Sequence, residues 1–168
     1  MPPPRLRRER PWQEHARLYR DLFADPAVAT VLWPREPRER ADERALEVLR
    51  RDIEHWQSRS FGPWVFFELD TGVFVGRGGL RSSVIAGNDC VEVLYALRPD
   101  VWGRGYATEI ALVSVQYARE LGIREVVGLA ATGNRASRRV LEKAGLPPRE
   151  DVEHAGLPHV LGRLRTMH

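Results

Sequence analysis

The sequence predicts an α/β domain with a mixed sheet, and three observations carry that reading. Apolar runs over Trp64–Leu69, Val73–Ser82 and Val91–Leu97 are joined by short turns, the pattern of an antiparallel meander. Segments with apolar residues spaced by three and four precede and follow this meander. A run of β-branched and small apolar residues, Glu125–Ala131, then stands between two helical segments.

The elements follow in order. Arg5–Arg10 reads as a first strand ended by Pro11. Gln13 to Ala24 reads as a helix with apolar Ala16, Leu18, Tyr19, Leu22 and Phe23, and Asp25-Pro26 is read as its stop. Trp33–Pro37, with two prolines, is irregular. Arg40 to Ser60 is a second helix on the spacing of Ala45, Leu46, Leu49, Ile53 and Trp56, broken by Gly62-Pro63. Asp70-Thr71-Gly72 and Ala86-Gly87-Asn88-Asp89 are the turns of the meander. In its last strand Val91, Val93, Tyr95 and Leu97 share one face, with Glu92, Leu94 and Ala96 on the other. A glycine-rich stretch, Trp102–Ala107, opens a third helix that runs to about Leu121. Its buried stripe is read as Tyr106, Ile110, Val113, Tyr117 and Leu121, with Gly122 as cap. Asn134 to Ala144 gives a short helix ended by Gly145, and Val152 and Val160–Leu164 suggest two final strands.

Composition narrows the function classes. The chain has 168 residues, 43% hydrophobic and 29% charged, which fits one globular domain spanning 1–168. No run approaches the ~20 apolar residues of a membrane helix, and Met1 to Arg10 has no apolar core of a secretory signal. The single cysteine, Cys90, excludes an intrachain disulfide and a multi-cysteine zinc site. A cytoplasmic protein is expected. The net charge is +3, and all the basic residues except Lys143 are arginine. That balance permits an anionic partner, but the acids are interspersed throughout, so a solvated mixed-charge surface is the simpler reading.

The segment from Leu94 to Glu109 carries the strongest chemical signal: a strand, a loop holding Gly103 and Gly105, then a helix. Glycines let the backbone approach a ligand, and the first helical amides have no intrahelical acceptor and lie at the positive end of the helix dipole. A phosphate or pyrophosphate suits such an end; a tight turn that uses glycine only for turning is the alternative. The loop is not a Walker loop, which needs Gly-Lys-Ser/Thr, nor a dinucleotide fingerprint, whose third glycine is here Thr108.

These residues resemble a known family. Trp102-Gly103-Arg104-Gly105-Tyr106-Ala107-Thr108-Glu109 and the later block from Asn134 to Leu146 are similar to the GNAT N-acetyltransferases, in the RimJ/RimL-like branch. Weaker likeness covers Leu6–Val28 and Glu153–Val160. The resemblance implies a GNAT fold: a central mixed, mostly antiparallel sheet of six to seven strands flanked by about four helices, splayed between the strands containing Glu92 and Val126. It implies acetyl-CoA as cosubstrate and no metal.

Carried onto this chain, the resemblance assigns the coenzyme pyrophosphate to Gly103, Arg104, Gly105, Tyr106, Ala107 and Thr108. The pantetheine arm would pair with the backbone of Tyr95, Ala96 and Leu97, a form of strand addition. Asn134 matches a pantetheine-binding position, with a helix N-cap as its structural alternative. Trp102 stands where the family usually has Gln or Arg. Glu92 matches a glutamate that serves as base, raised in pKa by apolar neighbours; an ion pair with an arginine is its alternative. The family's thiolate-protonating tyrosine corresponds here to Leu141, so Ser137, one turn earlier, is the candidate acid. A backbone amide near Leu94 or Tyr95 would steady the oxyanion.

The acceptor is expected to be a primary amine, on a protein N-terminus or a small molecule, acetylated directly in a ternary complex with no acyl-enzyme. Trp33 and the loop to Arg38 are the candidate acceptor contact. Glu36, Glu39, Asp42 and Glu43 would suit a cationic substrate but equally form a solvated helix start. Trp12, Trp33, Trp56 and Trp64 are read mainly as packing residues. His154 and His159 lack a third ligand at suitable spacing, and Cys90 lacks a histidine partner. The resemblance allows a homodimer. Two other functions remain on the page: a coenzyme A-binding module without transferase activity, suggested by Leu141, and an Arg-rich RNA- or ribosome-associated protein.

Overall fold

The computed structural model describes residues 3–167. Seven strands form a sheet in the order β1-β2-β3-β4-β5-β7-β6. They are β1 Leu6–Glu9, β2 Pro63–Glu68, β3 Phe74–Ile85, β4 Asn88–Leu97, β5 Glu125–Ala131, β6 Pro148–His154 and β7 Leu157–Arg165. Among the described residues there are five α-helices: α1 Ala16–Phe23, α2 Pro26–Leu32, α3 Ala41–Arg59, α4 Tyr106–Glu120 and α5 Arg135–Lys143. The pairs β1/β2, β5/β7 and β6/β7 are antiparallel, and β4/β5 is parallel. The α/β class and mixed sheet are as expected, with one helix more than the sequence suggested.

The extra helix is α2. Asp25-Pro26 does end α1, but it also starts the next helix. Asp25 Oδ1 accepts from the Ala27 amide at 2.9 Å, and Pro26 occupies the first helical position, where a missing N–H costs nothing. A proline read only as a stop hides this second role.

The residues fall into two compact units, one made of residues up to Gly78 with Ala96–Tyr106, the other of Gly79–Tyr95 with Ala107 onward. In the first, α1 and α3 bury Tyr19, Leu22, Phe23, Ala45 and Leu49 with Val65, Phe67 and Phe74. Each such side chain contributes about 1.5–3 kcal/mol by leaving water, with Ala45 well below that range. One member of the buried α3 stripe is charged. Asp52 is 2% exposed and meets Arg77 Nε and Nη2 at 2.9 Å each, and the Tyr19 hydroxyl donates to it at 2.7 Å. The pair is compensated on both sides, which a buried carboxylate requires. Arginines also lie over aromatic rings in this unit, Arg8 over Trp64 at 4.8 Å and Arg10 over Trp56 at 4.4 Å, for example. Part of the arginine content is therefore structural. Trp56 and Trp64 are buried as expected, whereas Trp12 is 53% exposed and is not a core residue.

In the second unit, Gly128 of β5 lies under Leu141 of α5, whose Cδ2 occupies the place a Cβ would take. The glycine lets the helix sit down on the strand. Helix α4 buries Ile110, Ala111, Ser114, Val115 and Ala118, while Leu121 is 41% exposed. The expected stripe through Val113, Tyr117 and Leu121 is thus displaced by about one position. The small residues face inward, and Ser114 satisfies its hydroxyl on the Ile110 carbonyl at 2.7 Å. Large residues on the neighbouring positions drew the sequence reading away from them.

Candidate active site

Strands β4 and β5 pair in parallel at two positions, Glu92↔Val127 and Val93↔Gly128. Beyond Val93, β4 continues to Leu97 without a β5 partner in that register. The strands therefore part where the family resemblance implied a splay. Unpaired backbone groups at such a fork must be satisfied by water or a ligand.

Glu92 is 8% exposed. Its Oε1 accepts from Arg81 Nη2 at 3.0 Å and from Ser83 Oγ at 2.9 Å. Both features weighed from the sequence are present, burial and an arginine partner. The contacts share one oxygen, which leaves Oε2 as the other proton-accepting atom. Arg81 and Ser83 were not singled out from the sequence. They meet Glu92 because the meander turn is two residues, Ala86 and Gly87, with φ of 50° and 79°, rather than the expected four. Two positive φ values mark a tight hairpin turn of primed type. Counting back from a turn centred there sets Arg81 opposite Glu92, so the register was available to a reader who placed the turn correctly.

Two residues past Val93, Tyr95 reaches α5. Its hydroxyl oxygen lies 2.8 Å from Ser137 Oγ and 3.3 Å from the Ser137 carbonyl. Burial pushes the Tyr95 phenol above its usual range, partly offset by the Ser137 contact. Asn134 is the N-cap of α5, its Oδ1 accepting from the Ser137 amide at 3.1 Å. The cap engages the oxygen, so the two hydrogens on Nδ2 remain as donors. Leu141 is fully buried and packs on Gly128, which makes it a core residue.

The glycine loop lies in the other unit, up to Tyr106. Gly103 and Gly105 both have φ of 82°, and a Cβ on Gly103 would meet open space. Only Gly adopts this conformation without strain. The Trp102 indole donates to the Leu97 carbonyl at 2.9 Å, so this residue ties the loop to the end of β4. Arg104 accepts at its carbonyl from Arg5 at 2.8 Å, and its guanidinium lies 3.6 Å from Glu68. The Tyr106 hydroxyl donates to Glu68 at 2.6 Å, which raises the phenol and, with the Thr71 hydroxyl, lowers the carboxyl. Arg5 and Glu68 thus buttress the loop, a role that sequence distance concealed. Gly76 of β3 sits against the Ala96 carbonyl, so Ala96 turns its backbone oxygen towards β3. By strand alternation the polar groups of Tyr95 and Leu97 point the opposite way. Ala107 and Thr108, next along α4, are half-buried.

Trp33 stacks at 5.6 Å on Phe23 and has the Arg44 guanidinium 5.5 Å from its ring. It borders a pocket of about 130 Å³ that Glu36, Arg38 and Arg44 also line. Trp33 is therefore both a packing residue and a pocket wall. Elsewhere, the His154 and His159 rings meet edge to face at 5.4 Å. Among the described residues no group of three or more His, Cys, Asp or Glu could hold a metal. Burial raises the Cys90 thiol, the wrong direction for a nucleophile. No described helix is long and apolar enough to cross a membrane.

Comparison with known proteins agrees with this geometry. The uncharacterised protein YkkB of Bacillus subtilis is 30% identical over 140 residues, 80% of this chain and 76% of that one. FsC-acetyl coenzyme A-N(2)-transacetylase of Aspergillus fumigatus is 41% identical over 93 residues, 51% of this chain but only 39% of that longer protein. The fold matches Vibrio cholerae spermidine N-acetyltransferase, solved in complex with CoA and spermine, with a TM-score of 0.71, 14% identity and 96% of each chain covered. A model of the acetyltransferase (GNAT) domain matches residues 5–147, most of the chain, and so this chain belongs to the GNAT acetyltransferase family.

Proposed function

We propose that this chain transfers the acetyl group of acetyl-CoA directly to a primary amine, in the manner of the RimJ/RimL-like branch. The observation that supports it most is the fork after Val93 and Gly128, with Glu92 at its last paired positions and Ser137, on the helix capped by Asn134, in contact with Tyr95 just beyond them. In this reading the amides of Gly103 to Thr108 receive the pyrophosphate. The backbone of Tyr95 and Leu97 pairs with the pantetheine amides, Ala96 contributing shape rather than hydrogen bonds. Asn134 Nδ2 donates to the same arm. The coenzyme supplies an activated thioester; this chain orients it and handles the protons.

Glu92 Oε2 takes a proton from the amine, directly or through water, so that nitrogen becomes a nucleophile. A backbone amide near Leu94 or Tyr95 faces the carbonyl oxygen as charge builds on it. Ser137 gives a proton to the departing sulfur. Trp33 is the candidate acceptor contact, and a small-molecule amine or a protein N-terminal amine is the acceptor class. The protein works in the cytoplasm as one domain, where acetyl-CoA is made, and a single cysteine accords with that location.

The test combines the chain with acetyl-CoA and a panel of primary amines. Free thiol is followed, and the intact protein is weighed after exposure to acetyl-CoA alone. Thiol release that requires an amine, with no mass added to the protein, is the expected result. An acetylated protein would overturn direct transfer. Coenzyme binding with no thiol release from any amine would favour a binding module without transferase activity.

A further inference from the structure

Resting on that reading, we propose that the side chain of Tyr95 acts behind Ser137, as a positioning residue that fixes the serine hydroxyl and replenishes its proton. The backbone of Tyr95 serves the coenzyme, whereas its hydroxyl faces Ser137.

Three features of the geometry carry this. Tyr95 lies on the stretch of β4 just past the last β5 partner, so its ring stands at the fork itself. Its hydroxyl oxygen is 2.8 Å from Ser137 Oγ, a contact in which either oxygen can donate, and 3.3 Å from the Ser137 carbonyl, which can only accept. Ser137 is held from the other direction by its amide hydrogen bond to Asn134 Oδ1. When the phenol donates to Oγ, the serine hydrogen is free to point away from the tyrosine. The next residue on the same helix face, Leu141, is buried and aliphatic and offers no proton.

Chemistry argues the same way. An aliphatic hydroxyl is a much weaker acid than a thiol, so serine alone gives up a proton to a thiolate at a steep cost. A phenol, even one raised by burial as Tyr95 is, remains a far stronger acid than an aliphatic hydroxyl and lies much nearer a thiol. Burial keeps Tyr95 protonated across neutral pH. Ser137 Oγ gives its proton to sulfur as the carbon–sulfur bond breaks and the bonding pair stays on sulfur. Tyr95 Oη gives its proton to Oγ. The phenolate regains a proton from solvent, which has received the one removed from the amine.

The experiment compares Tyr95→Phe, Ser137→Ala and the double variant with the unaltered chain. Each single change is expected to lower kcat about 10- to 100-fold, up to the bottom of the usual range for general acid catalysis. The KM for acetyl-CoA should stay within about twofold. The double variant should be no slower than the worse single, because the two hydroxyls form one relay. The pH profile of kcat should fall at alkaline pH in the unaltered chain and lose that limb in Tyr95→Phe. Independently of turnover, the ultraviolet thiolate band of bound coenzyme A should appear at lower pH in the unaltered chain than in Tyr95→Phe. Unchanged kcat in Tyr95→Phe, multiplicative losses in the double variant, or identical thiolate titrations would each overturn the relay. An unaltered chain that neither binds acetyl-CoA nor acetylates an amine would overturn the acetyl-transfer reading itself.

Discussion

Replacing Gly103 by alanine separates a ligand-binding loop from a loop that merely turns. Gly103 has φ of 82°, and no heavy atom lies within 4 Å of where its Cβ would stand. Alanine there meets no protein atom, so the stability loss is the backbone term alone, about 1–2 kcal/mol for an L-residue in the left-handed region. The molecule provides its own control. Gly72, in the turn between β2 and β3, has φ of 74° and equally open surroundings. Gly103→Ala and Gly72→Ala should therefore lower the denaturation midpoint by similar amounts. They should part company in calorimetric titration with acetyl-CoA. A methyl on Gly103 stands where the pyrophosphate approaches the amides, and a loss of at least tenfold in affinity is expected, about 1.4 kcal/mol. Gly72→Ala should bind as the unaltered chain does. Equal affinity in the two variants would refute the assignment and leave Gly103 as a turn residue.

Other consequences follow from the surrounding structure. Ala86 holds φ of 50° in a turn that suits glycine or asparagine; Ala86→Gly relieves about 1–2 kcal/mol of strain against about 0.4–1 kcal/mol of chain entropy and should raise the urea midpoint, and a lowered midpoint would contradict the strain. Asp52→Asn removes the charge of a carboxylate that two Arg77 nitrogens and the Tyr19 hydroxyl meet in the core and should cost about 3–5 kcal/mol, read as a shifted urea midpoint with unchanged slope. Burial lowers the His154 imidazole below its ordinary 6.5. The unfolded chain then binds the extra proton first, so stability is full above about pH 6.5 and declines as pH falls through the lower folded value. His154→Gln should flatten that part of a melting-temperature profile; an unchanged slope would assign it to other groups.

Much of the fold was legible in the sequence, because patterning and turn chemistry pointed the same way. The meander, the glycine loop, α4 and α5 all stand where periodicity and glycines placed them. What escaped had local causes. Proline at the start of α2 was read as a terminator although it suits a first helical position. Helix α4 buries Tyr106 and Ile110 as expected but then alanine and serine, so ranking positions by size carried the later part of the stripe about one position off. The site was legible as segments rather than as contacts. Glu92, Ser137 and Asn134 were named through the family resemblance, but Arg81 and Ser83 reach Glu92 only once the hairpin register is fixed to the residue. The Tyr95–Ser137 contact joins residues 42 apart in sequence, through a strand and helix whose packing no local pattern specifies.

The central claim is that this chain uses acetyl-CoA on an amine. It is tested most directly by isothermal titration of the purified chain with acetyl-CoA, followed in the same preparation by an amine panel with thiol detection. Saturable binding in the micromolar range and thiol release on adding a primary amine are predicted. A folded chain that takes up no acetyl-CoA would contradict the claim. Steep, salt-sensitive affinity for RNA in that same preparation would then make the arginine-rich surface the functional one.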